Sequence, residues 1–410
     1  MKTTLRALWT TFVLLAAPLL PAAEQPPKDN PVARYKLPWT DEIQWGNVVS
    51  IADMPGETAD ARIAAASEKL GKQGGVVYLP AGTYVLKESL KLKTGVVVRG
   101  ADPQGTKNAN DPNYDPPTKL EFPKFAAKCE GEGTPVESAF KGIRLEDPAT
   151  TANCGVVNVA INHGHVEFEE DKDHNAGRNR LVYGCLVRNA AVAEPTVPKD
   201  FQHPWQRFTH RHHAAFHVKS TENLLVANNR LPESDGNFVM NGYKLQAGQK
   251  DKTVIEKDIT FDYDFRPGIY ANLASAGEAF GGKQFTPEER PWAFRKGIVI
   301  RDNYIFCTGS PGILFSGDGT ICSFNVIRFK KNVQRETVAG VYRGHFTNNI
   351  RAIEMRGWRW TVEGNDYEVH RNLGPIGPDG EGLMHEAHEN CSIKDSKLIN
   401  NKGNAYFSIW

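Results

Sequence analysis

The sequence has no CxxC and no HExxH, so nothing in it asks for a structural zinc site or a zincin. It has no excess of charge of either sign. Its 49 basic and 48 acidic residues leave a formal net charge of +1, whereas gripping nucleic-acid phosphates needs a strong basic excess, so no nucleic-acid partner is expected. Beyond residue 23 no run is apolar enough to span a bilayer. Cysteine is scarce: Cys129, Cys154, Cys185, Cys307, Cys322 and Cys391 are all there are. An even number admits disulfides wherever the surroundings are oxidising, and a packed core can equally bury free thiols as small apolar residues. Cys307 with Cys322 is the pair expected, because they flank one apparent coil.

What is present begins with Lys2 and Arg6, an apolar run through Phe12–Ala17 and Leu19-Leu20, then Pro21-Ala22-Ala23. That is the pattern of a cleaved secretory signal over 1–23, and a secreted or periplasmic protein is expected. Residues 24–45, rich in Pro and polar side chains, read as an extended arm. The remainder, 46–410, reads as one long domain with loop insertions, because solenoids grow by adding coils rather than domains.

The most informative stretch is Asp60–Gly100, DARIAAASEKLGKQGGVVYLPAGTYVLKESLKLKTGVVVRG. Ile63, Ala66 and Leu70 fall at helical spacing, Asp60 suits the positive end of the helix dipole, and Gly71 is a stop. Val76–Leu79, Tyr84–Leu86, Leu90–Leu92 and Val96–Val98 follow, each too short to stand alone and most bounded by Gly or Pro. Such strands must stack. Further short strands carry Asn at their ends, at Asn158, Asn228-Asn229, Asn303 and Asn400-Asn401; Asn tolerates left-handed backbone, so these are read as corner residues. Asp102–Pro123, Gln246–Asp258 and Ser275–Pro291 read as loops carried on the coil.

The Asp60–Gly100 segment resembles the N-terminal part of the pectate-lyase superfamily, whose members open with a helix, a Gly-Gly, a VYLPAGTY strand and turn, and a GVVVRG strand. The resemblance implies an all-β fold, a single-stranded right-handed parallel β-helix with a short N-terminal capping helix, and a polysaccharide partner, acidic or neutral. It does not choose the reaction, since the superfamily holds lyases, hydrolases, epimerases and phage adhesins. The Asn-x-Asp, Asp-Asp, Gly-His-Gly and Arg-x-Lys set of polygalacturonases is missing; Asn162-His163-Gly164-His165 is only superficially similar to the third. Neither the calcium-binding aspartates of pectate lyases nor the Asp-Pro-His-Asp of alginate epimerases is found.

Aligned by apolar alternation, the pentapeptides 215–219, 237–241, 312–316, 352–356 and 382–386 share two inward positions, Phe216, Phe238, Ile313, Ile353 and Leu383, then Val218, Met240, Phe315, Met355 and His385. Their outward positions hold His217, Lys219, Asn241, Ser316, Glu354, Arg356 and Glu386, with Asp318 and His388 just beyond. Strands stacked about 4.8 Å apart would array these along one sugar chain.

Three clusters carry chemistry. His210–His213, His217 and Lys219 combine proton acceptors with a cation that neutralises a uronate carboxylate, which suits β-elimination. Glu354, Arg356, Trp358 and Trp360 combine a carboxylate clamp with a stacking ring, although one Trp can equally be core. Glu381–Glu389 combines carboxylates and histidines; with Asn these are hard ligands suited to calcium, while Asp318 with Glu386 is a candidate acid and base. The reading is a secreted polysaccharide lyase acting on a uronic-acid-containing, hence acidic, glycan. His217, Lys219, Arg356 and Glu386 are its catalytic candidates, and His213, Asn241, Asp318, Glu354, Trp358 and His388 its substrate-binding ones. A glycoside hydrolase of the same fold and a non-catalytic carbohydrate-binding solenoid are the alternatives.

Overall fold

The computed structural model describes residues 25–123, 141–188, 214–232, 237–245, 253–262, 268–274, 284–307, 312–329, 351–368, 383–387, 395–403 and 406–409. After the N-terminal turns the chain enters helix Ala59–Leu70, whose start is fixed by the Thr58 side chain accepting from the Ala61 N–H and whose end is Gly71 at φ 55°. Ile63, Ala66 and Leu70 are its buried face, packed in one core with Ile51 and Val77. The helix thus covers the open end of the first coil.

Each coil then lays one strand into each of three parallel sheets. Gly75–Leu79 joins sheet A, Gly82–Val85 sheet B and Leu90–Leu92 sheet C, and Val96–Gly100 returns to sheet A beside Gly75–Leu79. Among the described residues sheet A has ten strands and sheets B and C nine each. The molecule is a single-stranded right-handed parallel β-helix. Inside the coil, side chains of one kind stack on their like: Val98, Val156, Val182, Val226 and Ile300 along sheet A, Ile161, Val187, Ile305 and Ile327 along sheet B. Sheet A is apolar on its outer face too. There Val76, Val97, Leu181 and Leu225 are covered by Val32, Trp39, Ile43 and Trp45 from residues 25–45, which carry 3-10 turns Ala33–Tyr35 and Pro38–Glu42.

The corner from sheet A to sheet B is built the same way in coil after coil. Asn158, Gly184, Asn228, Asp302, Phe324, Gly364 and Asn400 all have φ between 49° and 64°. In the next position Asn229, Asn303, Asn325, Asn365 and Asn401 form a ladder, each Nδ2 donating to the next Oδ1 at 2.9 Å. Each Nδ2 also caps a carbonyl below, as Asn303 does for Val226. The corner asparagines are therefore structural, satisfying buried backbone groups that the turn leaves open.

Three expectations are corrected. Cys322 is a free, fully buried thiol on sheet A, receiving Asn325 Nδ2 at 3.5 Å, so the Cys307–Cys322 disulfide is not formed. Cys154 and Cys185 are likewise free, and burial pushes both thiols up to about 12. Thr118–Glu121, expected within a loop, is a sheet B strand pairing with Gly82–Val85. Finally, Asn237–Leu245 is not a rung: it pairs antiparallel with Thr253–Asp262 in a two-stranded ribbon outside the three sheets. Its alternating Phe238 and Met240 satisfy any two-sided strand, and a period of two does not distinguish a coil strand from a hairpin.

Candidate functional site

Sheet C carries the polar face. In register along it stand Val166, Phe216, Ile269, Ile313 and Ile353, all buried in the core. Because successive side chains alternate, the next residue of each strand points outward, giving a column Glu167, His217, Tyr270, Leu314, Glu354. The aligned register of Phe216, Ile313 and Ile353 is as the apolar pattern predicts. The rung supplied in place of Phe238 is Ile269–Ala271, so Asn241 falls away from this face and Tyr270 takes a place on it. The last pairing also differs. Ile353 lies beside His385 and Glu354 beside Glu386, a two-residue shift from the expected Ile353–Leu383 match that leaves strand parity unchanged. His213 and His388 lie outside the described residues, and for Glu386 and Asn241 only the strand course is described.

The first cluster surrounds His217. Its Nδ1 lies 2.7 Å from Glu169 Oε1, and its ring meets Tyr270 edge-on with centroids 5.9 Å apart. Lys219 Nζ donates to Glu170 Oε1 at 2.6 Å and lies 3.8 Å from Glu169. Glu170 also receives Arg295 Nη2 at 2.7 Å and His174 Nδ1 at 3.0 Å. Burial alone would raise the Glu170 carboxyl; Lys219, His174 and Arg295 outweigh it and hold the group below the ordinary carboxylate range. Glu167, next along the sheet, behaves alike: burial is overcome by His165 at 2.9 Å and Arg144 at 2.7 Å. The cluster is fixed from inside the coil by Arg180. This fully buried guanidinium donates to the carbonyls of Glu169 at 2.9 Å and Lys219 at 2.5 Å, and burial pulls its pKa down to about 10.

The second cluster lies further along the axis. Glu354 Oε1 accepts from Arg356 Nε at 3.0 Å and Nη2 at 2.6 Å, and the carboxylate is 2% exposed as a residue. Arg359 is bonded to Asp318 through Oδ2. Trp358 packs on Phe294, centroids 4.9 Å apart, while Trp360 is core at 1% exposure. Of the two tryptophans, then, Trp358 belongs to the outer side and Trp360 does not.

Register also measures what the face does not bring together. His217 and Glu354 are separated by the rungs of Tyr270 and Leu314, hence by three strand spacings, about 14 Å. Lys219 and Arg356 are as far apart, too far to act on one carboxylate. Asp318 is in register with Trp358, four residues beyond Glu354, which puts the Asp318 and Glu354 backbones on the order of 14 Å apart. Between the clusters the outer face is apolar, where Ala214, Tyr270 and Leu314 pack together. Among the described residues no three His, Cys, Asp or Glu side chains converge as metal ligands.

The sequence reading missed Glu169, Glu170, Arg180, Tyr270 and Arg295. Glu169-Glu170 follow a strand whose alternation puts Glu167 outward, a signal that extends naturally to residue 169. Arg295 reaches Glu170 from the far side of an insertion, and no local pattern marks it.

No family model matches this sequence, and no curated protein matches it. Solved structures with overlapping architecture include the A-module of the Azotobacter vinelandii mannuronan C-5 epimerase AlgE4, at 13% identity, covering 89% of this chain and 97% of that one, with a TM-score of 0.32. The Streptococcus pneumoniae surface adhesin PfbA is 12% identical over 88% of this chain and 96% of its own, TM-score 0.38. A Yersinia enterocolitica family 28 exopolygalacturonase is 10% identical over 88% and 77%, TM-score 0.30. Superpositions this loose say nothing about substrate or reaction; the chain is a parallel β-helix by its own strand order.

Proposed function

We propose that the outer face of sheet C binds a uronic-acid-containing polysaccharide along the coil axis and cleaves it by β-elimination, in a protein exported after loss of residues 1–23. The supporting observation is His217 on strand Phe216–Val218 with Lys219 directly after its end, and His217 Nδ1 set 2.7 Å from Glu169. The Glu169 carboxylate beside Nδ1 attracts a proton to that nitrogen electrostatically, without a hydrogen bond aligned between them, and leaves Nε2 to accept a proton. Lys219, one outward position along, is the cation that neutralises the uronate carboxylate. The C5 proton passes to His217, the C5 electron pair forms the C4–C5 double bond, the C4–O bond breaks, and the departing oxygen takes a proton. Tyr270, in register with His217, is buried against Ala214 and Leu314, so water supplies that last proton. Arg356, Glu354 and Trp358, about 14 Å on, hold another part of the same chain.

Digestion of polygalacturonate, alginate and glucuronan tests the reading. A lyase produces ultraviolet-absorbing unsaturated ends; reducing ends without that absorbance would eliminate it. The second reading, a non-catalytic carbohydrate-binding solenoid, is favoured by one observation: Lys219, Arg295, Arg356 and Arg359 each already hold a carboxylate of the protein. In that case the panel binds and is not cut.

A further inference from the structure

The A-to-B corner has one residue that does not fit its position. At six of the seven left-handed corner positions stand Asn, Asp or Gly; the seventh is Phe324, at φ 55°. A bulky aromatic there costs on the order of 1–2 kcal/mol that Asn or Gly would largely avoid. The cost is not recovered by burial, since Phe324 remains 42% exposed.

Its surroundings give it a use. Phe324, Asp302 and Asn228, the corner residues of three successive coils, line an open pocket of about 480 Å³, within the usual range for small ligands. Arg34 from the N-terminal segment and Asn108 and Asn110 from the loop after Val96–Gly100 complete it, together with Arg301. The Arg301 guanidinium lies 4.9 Å from the Phe324 ring centre. Arg34 and Arg301 both approach Asp302 Oδ2 at 3.6 Å, and Tyr35 donates to the same oxygen at 3.0 Å. Two guanidiniums thus share one carboxylate, and Arg301 Nε makes no hydrogen bond to a described residue. Asn110 Oδ1 has no hydrogen-bond partner among the described residues either.

We propose that this corner is a second saccharide site, separate from sheet C, taking an acidic disaccharide-sized ligand. The aromatic ring, which carries the Arg301 guanidinium over it and packs along one edge on Gly364, offers its remaining exposed surface to the apolar face of a pyranose, the surplus guanidinium charge takes its carboxylate, and the Asn108 and Asn110 amides meet its hydroxyls. Three corners span about 10 Å of the axis, room for two sugar rings in a row. Its function is to hold the polymer at a distance from the sheet C face, raising its local concentration there.

The test is calorimetric titration of full-length protein carrying His217→Gln and Arg356→Ala, which disables the sheet C face, with digalacturonic acid and with its carboxyl-reduced counterpart. Digalacturonate is expected to bind, the neutral sugar about tenfold more weakly. Phe324→Asn is expected to melt no lower than its parent, since Asn occupies three other corners, and to lose binding by about tenfold. Arg34→Ala, on an exposed side chain, should weaken it similarly. Unchanged affinity in both variants, or no binding by the parent, would overturn the site. No turnover is read, so failure of the lyase reading would not disturb this result.

Discussion

The A-to-B corner and the outer face of sheet C are both ladders, one side chain per coil, yet they are made oppositely. At the corner the same residue recurs, and Asn229, Asn303, Asn325, Asn365 and Asn401 are joined by four equivalent Nδ2–Oδ1 bonds of 2.9 Å. On sheet C no two neighbours match: Glu167, His217, Tyr270, Leu314 and Glu354 follow one another. Repetition maximises stability, because each rung satisfies the next one's polar groups. Variety does not, because unlike charges must be compensated from outside the ladder, as Glu170 is by Lys219, His174 and Arg295. The corner holds the coil together; the face is where the chain departs from what stability alone requires.

The most destructive way to probe this contrast is within the corner. Asn325→Ala leaves the Asn303 amides and the Ile300 carbonyl without their bonds, and we expect a loss of about 3–5 kcal/mol in urea unfolding, the sum of two or three abandoned buried groups. A loss under about 1 kcal/mol would mean the ladder is decorative. On the face the opposite holds. His217→Gln should lower lyase turnover by about 10²–10⁴-fold with unfolding free energy changed by less than about 1 kcal/mol. A variant that unfolds instead would show His217 to be a structural residue.

A smaller effect distinguishes the two regions by pH. Glu170 titrates below its ordinary value of 4.5 in the folded state, so its contribution is complete above that value and is lost as pH falls through the lower folded one. Urea midpoints compared at neutral pH and just below the ordinary carboxylate range should drop more for the wild type than for Glu170→Gln, whereas Asn325→Ala should keep the wild-type drop. Equal drops in wild type and Glu170→Gln would refute the linkage. The smallest perturbation concerns the core behind both regions. Peptide mapping after iodoacetamide should find Cys154, Cys185 and Cys322 unlabelled in native protein and labelled in denaturant, since all three are free and fully buried; native labelling of any of them would contradict their burial.

The same contrast explains what could be read from the sequence. The capping helix was legible because Ile63, Ala66 and Leu70 sit at helical spacing and Gly71 ends them. The corners were legible because Asn before a left-handed bend is a local signal that recurs. Phe216, Ile313 and Ile353 were correctly aligned since each must enter the same core. The rung Ile269–Ala271 was missed because three residues carry little periodicity, and Phe238 and Met240 imitated it from a hairpin. The His217 cluster was half legible. His217 and Lys219 lie two residues apart, in and just after strand Phe216–Val218, but Arg180 and Arg295 reach the cluster from other strands and loops, a convergence fixed by tertiary packing alone. Phe324 was invisible because its peculiarity is a backbone angle that sequence does not display.

The central claim is that a glycan runs along the coil axis over the outer face of sheet C. The most direct measurement is a crystal structure of His217→Gln with a galacturonate hexasaccharide. The account predicts one continuous saccharide whose uronates approach Lys219 at one end and Arg356 at the other, crossing the Tyr270 and Leu314 rungs between them. A saccharide that touches neither cluster would contradict it.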